Sequence, residues 1–239
     1  MIYSFNRKYN KTSNYILLTL LIVFILHNFY QLNFMNLSLP LQNIYLNTDG
    51  RMTIAYFKMI VSGEWRFYDV ASSVKLSAPF EFIGYDFPIP MFTTWLYIKA
   101  ISIFSSDSVV VFNLFYISTY FLNAFIMFFV LKKIRINTFL AISVSLLFTF
   151  LPFHYMRFGH TLYTGYFFIP LWIYYTLLLT NKKPFFFKRI SDNKYTFDFS
   201  KKNKIIILLL LLSSTWNYYY TFFFVFFVFF VLVFNLIYK

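Results

Sequence analysis

Five long apolar runs constrain this chain more than any motif does. Tyr15 to Leu37, Val109 to Leu131 and Leu162 to Thr180 each approach the roughly 20 helical residues that cross about 30 Å of hydrocarbon. Thr138 to Pro152 is shorter but becomes adequate once Ile136 and Asn137 are included. The last run, Ile205 to Tyr238, has 34 residues and would extend roughly 51 Å as one helix, too long for an ordinary span. Polarity returns in its middle at Ser213-Ser214-Thr215-Trp216-Asn217-Tyr218, which predicts a tight hairpin of two helices, the first of them short. One long tilted helix is the alternative. Composition agrees with a membrane chain: 60% of residues are hydrophobic and 12% charged, against about a quarter charged in soluble domains. The expected fold is therefore all-α, a polytopic transmembrane bundle of about six spans forming one integral membrane domain over residues 1–239.

The placement of charge sets the orientation. With the N-terminus inside, the inner segments hold 15 of the 21 basic residues, among them Arg7, Lys8 and Lys11, Lys132, Lys133 and Arg135, and eight between Lys182 and Lys204. The outer segments hold six of the eight acids. Positive charge inside is the rule for membrane chains. It also decides Met91 to Phe104, which is apolar enough to suggest a span. A crossing there would move Lys132, Lys133 and Arg135 outside, so the segment reads as a helix on the outer surface, started by Pro90 in the first turn. Arg7, Lys8 and Lys11 resemble the basic end of a signal peptide, but the following run is too long and lacks a small-residue cleavage site, so it reads as an uncleaved span. The basic loop from Asn181 to Lys204 reads as a topology determinant drawn to anionic lipid. It carries no phosphate-cradling glycine loop and no nucleic-acid motif. With no cysteine in the chain, disulfides, thiolate metal sites and a cysteine nucleophile are excluded.

The informative segment is the outer loop over residues 38–107, which follows the span at 15–37 and precedes the spans of 108–239. Long loops on a rigid scaffold are where chemistry is usually built. It contains Asp49, Glu64, Asp69, Glu81 and Asp86 ahead of Asp107. A helix is expected from Gly50 to about Ser62, burying Ala55, Tyr56, Met59 and Ile60 and stopped by Gly63. Asp49 precedes that helix and suits an N-cap, whose carboxylate accepts from a first-turn N–H. Asp86, before an X-Pro turn, suits ordinary turn chemistry. Arg157 and His160 lie in the short outer connection between the third and fourth spans, where lipid headgroups would satisfy them or where they could bind a phosphate and its leaving oxygen. His154 in the same stretch reads as an interfacial residue. Trp216 and Asn217 begin an aromatic cluster at the outer end of the last hairpin, consistent with an interfacial belt. Sugar stacking or a lipid groove is the sharper reading of the pair. His27, inside the first span, reads as a helix-contact residue.

The order of these pieces resembles the N-terminal half of the GT-C superfamily of polytopic glycosyltransferases. The resemblance rests on a first span, an outer Asp49 followed by a helix ending in Ser62-Gly63-Glu64-Trp65, then Asp86-Phe87-Pro88-Ile89-Pro90 opening an interfacial helix, and a span returning to Lys132-Lys133. It covers about Tyr15 to Thr180. Leu151 to His160, followed by Tyr163 to Pro170, also looks like a group of large bacterial membrane proteins of uncertain activity that share this layout. The GT-C resemblance implies transfer of a sugar from a polyprenyl-phosphate carrier to an acceptor on the outer side, which is the periplasmic or extracellular side of a bacterial plasma membrane, or a lumenal one if the source is not bacterial. In that family the acid of the first outer loop is catalytic, taking the acceptor's proton or helping to hold a divalent cation, and Asp49 is the matching position. Many members have two adjacent acids; here Gly50 follows Asp49, so Asp86 is the candidate for the second. Arg157, His160, Trp216 and Asn217 are the candidates for binding lipid phosphate or substrate. The alternative is a non-catalytic polytopic protein, such as a lipid-linked-sugar transporter or assembly partner. Members usually have about twice as many spans, so the chain is expected to be an N-terminal portion or to need a partner subunit.

Overall fold

The computed structural model describes residues 2–30, 37–38, 48–64, 72–73, 82–83, 91–156, 160–179, 186–191 and 194–237. Asp86, Arg157, Pro90 and the aromatic residues of 65–70, 80, 85 and 87 lie outside the described residues. Helix dominates what is described. In chain order the helices are α1 (Ile2–Tyr30), α2 (Thr48–Val61), α3 (Phe92–Ile101), α4 (Ser108–Lys133), α5 (Thr138–Thr149), α6 (Pro152–Met156), α7 (Phe168–Leu179), α8 (Lys201–Ser214) and α9 (Tyr218–Ile237). Two antiparallel ribbons accompany them: β1 (Ser72–Ser73) with β2 (Phe82–Ile83), and β3 (Phe187–Ser191) with β4 (Lys194–Phe197). The second ribbon lies within the basic loop.

Among the described residues, two helices are long and apolar enough to cross a membrane, α4 and the segment Tyr218–Asn235 of α9. Tyr15–His27, Thr138–His154 and Phe168–Leu179 are apolar but shorter. The run expected to span from Leu162 is shortened because its first part is a 3-10 turn, Thr161–Thr164, ahead of Gly165. Pro170, in the first turn of α7, is compatible with helix because its missing N–H has no helical acceptor there. The 34-residue run does divide into two helices, α8 and α9, separated by Thr215, Trp216 and Asn217. Asn217 starts α9 as its N-cap, its Oδ1 accepting from Tyr219 N at 3.1 Å and Tyr220 N at 3.3 Å. Asp107 and Asn137 cap α4 and α5 in the same way.

The core surrounds α4. Helices α2 and α3 lie against each other and against α4. From α2 the buried residues are Thr53, Tyr56, Phe57, Met59 and Ile60; Ala55, expected among them, is only partly covered. Phe57 meets Phe112 and Phe115 of α4 edge to face, with ring centroids 5.3 and 5.5 Å apart; each such pair contributes about 0.5–1.5 kcal/mol beyond its buried area. Gly63 ends α2 as expected, at φ 80°, a left-handed backbone that residues with a side chain rarely adopt. Lys99 of α3 donates to the Ile60 carbonyl at 3.2 Å, covering the same helix end. The segment read as an outer surface helix is α3, and it buries Thr94, Trp95, Ile98 and Ile101 while Ile103 and Phe104 beyond it stay exposed.

The other end of α3 is bolted to the turn between α8 and α9. Thr93 N donates to Thr215 O at 3.1 Å, and Thr94 Oγ1 donates to Trp216 O at 2.6 Å. Trp216 is buried: its ring stacks on Phe115 with centroids 6.2 Å apart and meets Phe167 at 4.7 Å. A β-carbon on Gly165 would sit 2.6 Å from Trp216 Nε1. Gly165→Ala is therefore expected to destabilise the protein by about 1–3 kcal/mol through overpacking, seen as a lowered midpoint of thermal unfolding in detergent; an unchanged midpoint would show that the indole has room to move.

Candidate functional site

One pair of expected site residues converges. Asp49 Oδ2 and His160 Nε2 are 3.2 Å apart, although 111 positions separate them in the chain. Asp49 sits within the first turn of α2, because that helix begins at Thr48 rather than at Gly50. The N-cap expected of Asp49 is therefore corrected to a first-turn acid, a position the helix dipole also favours for a negative charge. The Asp49 carbonyl accepts from Thr53 Oγ1 at 2.9 Å, one turn on. His160 immediately precedes the 3-10 turn Thr161–Thr164. The side chains are 59% and 42% exposed for Asp49 and His160, so the protein itself does not enclose the pair.

An aromatic row continues from the pair. The His160 ring lies 5.5 Å from Tyr163, and Tyr163 lies 5.6 Å from Tyr219 at the start of α9. Tyr220 OH donates to the Tyr163 carbonyl at 2.6 Å, tying the 3-10 turn to α9.

Behind the turn is a buried polar cluster. Asn123 Nδ2 donates to the Thr164 carbonyl at 3.1 Å and lies 3.1 Å from His154 Nδ1. An amide nitrogen has no lone pair to offer, so Nδ1 is the acceptor and the His154 proton sits on Nε2, 3.1 Å from Thr119 Oγ1. Tyr166 OH donates to the Phe148 carbonyl at 2.9 Å and lies 3.3 Å from His154 Nδ1. Tyr120 packs over His154 at 3.6 Å between centroids and also lies 4.0 Å from the His27 ring. His154, expected at the interface, is instead fully buried. The signal that could have found the cluster is Thr119 and Asn123, two polar side chains one turn apart on one face of an apolar helix.

Trp216 and Asn217 do not line the exposed pair. Trp216 is enclosed by Phe115, Phe167 and Phe168, and Asn217 is buried as the α9 cap. Both therefore hold the fold together, and neither presents a free face for sugar stacking. Asp86 and Arg157 lie outside the described residues. Among the described residues no group of three His, Cys, Asp or Glu side chains gathers as a metal site. Asp49 and His160 would supply two donors, one short of the three protein ligands typical of a catalytic zinc, and no step is derived through a metal. Comparison with protein-family models, with curated proteins and with solved structures returns no match.

The Asn123 bonds connect α4 to the turn that carries His160. Asn123→Ala is expected to cost about 1–2 kcal/mol, the range for hydrogen bonds between helices in model membranes. A double-mutant cycle with His154→Ala should give a coupling of about 0.5–1.5 kcal/mol in thermal unfolding; additivity within about 0.3 kcal/mol would mean the two side chains act separately.

Proposed function

We propose that the chain is the catalytic membrane portion of a glycosyltransferase that moves a sugar from a polyprenyl-phosphate carrier to an acceptor hydroxyl on the outer face of a bacterial plasma membrane. The observation that carries this reading is the accessible Asp49–His160 pair, with its oxygen and nitrogen 3.2 Å apart. In the proposed reaction the pair takes the proton of the acceptor hydroxyl while that oxygen attacks the anomeric carbon. The bond from that carbon to the phosphate oxygen breaks, and its electron pair leaves on the lipid phosphate. Positioned proton transfer of this kind contributes about 10²–10⁴ in rate. Arg157, three residues before His160, is the candidate to pair with the departing phosphate, since a guanidinium donates two parallel hydrogen bonds. Asp86 keeps its role as the candidate second acid of the outer loop.

The reading takes α1, α4, α5 with α6, α7, α8 and α9 as six spans with the N-terminus inside. At about 1.5 Å per residue α7 reaches only about 18 Å and α8 about 21 Å, so the reading needs residues beyond both helices to complete their crossings.

Two experiments test this. The chain has no cysteine, so single-cysteine variants report sidedness directly. Ser105→Cys should react with a membrane-impermeant maleimide on intact cells and Ser200→Cys only after permeabilisation; the reverse pattern would put Asp49 on the wrong side. Purified protein supplied with labelled polyprenyl-phosphate hexoses should lose about 10²–10⁴ in transfer rate on Asp49→Asn. Equal turnover by both proteins would remove Asp49 from the chemistry, and tight donor binding without transfer would favour a transporter.

A further inference from the structure

A second site lies away from the Asp49–His160 pair. Tyr175 and Leu179 on the last turns of α7, Leu210 of α8, Phe224 and Val228 of α9, and Phe186 at the foot of the basic ribbon line one cavity of about 210 Å³. That is below the roughly 300–1,000 Å³ of pockets for drug-sized ligands, but it suits a stretch of one hydrocarbon chain. Its walls are apolar apart from Tyr175, so they offer almost nothing to hydrogen-bond. One wall is α9, whose apolar segment has none of its residues buried within the protein. Phe222, Phe223, Phe226, Phe229 and Phe230 are all exposed along it. An apolar cavity opening beside such a helix meets hydrocarbon wherever that helix crosses a bilayer.

Charge identifies which lipid the cavity suits. The helix that supplies Leu210 begins at Lys201, and Lys201, Lys202 and Lys204 are all exposed there. Lys204 is about 9 Å along the axis from Leu210, and Lys202 about 12 Å, at about 1.5 Å per residue. At about 100° per residue the two lysines flank the Leu210 face on opposite sides. The nearby Asp198 carboxylate is engaged locally, accepting from Ser200 N at 3.0 Å and from Asn203 Nδ2 at 3.0 Å. Over residues 181–204 the sequence carries eight basic residues against Asp192 and Asp198, so positive charge is in excess at this end.

We propose that the α7–α8–α9 cavity holds one acyl chain of an anionic glycerophospholipid whose phosphate lies between Lys202 and Lys204. The site rests on α9 crossing a bilayer and is independent of the glycosyl-transfer reading. A zwitterionic lipid offers the same acyl chain without net negative charge, so headgroup preference and cavity occupancy are separable.

The test uses full-length protein in phosphatidylcholine nanodiscs containing either phosphatidylglycerol or phosphatidylcholine with a diazirine in one acyl chain. After photolysis, crosslinked peptides are mapped by mass spectrometry. The phosphatidylglycerol probe should label Leu210 and Phe224–Val228 about fivefold or more above the phosphatidylcholine probe, since each basic residue near an anionic headgroup contributes about one such factor. Lys202→Gln with Lys204→Gln, both on an exposed helix end, should bring the two probes close together without moving the labelled residues. Leu210→Trp, which fills the cavity, should remove the label from Phe224–Val228. Val228→Phe provides the same test should Leu210→Trp fail to fold. Equal labelling by both probes in the wild type, or labelling unchanged by either filling variant in folded protein, overturns the proposal.

Discussion

Much of this structure depends on Asn123 sitting inside an apolar helix. A primary amide in such surroundings is costly unless bonded, and here its nitrogen serves the Thr164 carbonyl and the His154 ring. Those bonds bring the 3-10 turn Thr161–Thr164 against the middle of α4, which fixes the height at which His160 emerges. Tyr220 fastens the turn from the other side by donating to the Tyr163 carbonyl at 2.6 Å. The exposed pair thus rests on a turn secured at both faces.

The same economy operates where α3 meets the α8–α9 turn. A break between two helices leaves carbonyls without helical donors, and two of these, on Thr215 and Trp216, accept from Thr93 N and Thr94 Oγ1. Trp216 follows the second carbonyl into the core and stacks on Phe115. Gly165 leaves room for the indole, so the loop after the 3-10 turn, the final helices and α3 share one joint.

Legibility in the sequence followed the length of the local signal. Val109 to Leu131 became α4 within two residues at each end because the apolar run is unbroken and Asp107 caps it. The division of 205–238 was readable because Asn217 combines a polar interruption with good capping chemistry. Gly63 marked the end of α2 for a similar local reason. The start of α2 was misjudged because Asp49 is as well suited to a first turn as to a cap, and only the backbone decides which. Leu162 to Thr180 looked like a span because hydropathy does not distinguish a 3-10 turn from an α-helix. Trp216 was read as interfacial because a tryptophan beside tyrosines suits a membrane boundary and a core equally well; its burial comes from Phe115, Phe167 and Gly165, all distant in sequence. The meeting of Asp49 and His160 is only a question at the sequence level, since nothing local brings together residues 111 positions apart.

That meeting is also hard to explain by stability. An exposed carboxylate–imidazole pair contributes about 0–1 kcal/mol, since solvent screens it and side-chain entropy opposes it. The turn beneath His160, by contrast, is held by buried hydrogen bonds that are individually worth more. A fold that needed only to close this turn could have done so with Asn123 and Tyr220 alone, leaving position 160 to any polar residue. The added feature is an oriented imidazole beside a carboxylate, facing outward and continued by Tyr163 and Tyr219. A hydrogen bond of this kind contributes most when a bound group excludes water from it, because it is electrostatically stronger at lower dielectric. The geometry therefore has more to gain from a ligand than from folding.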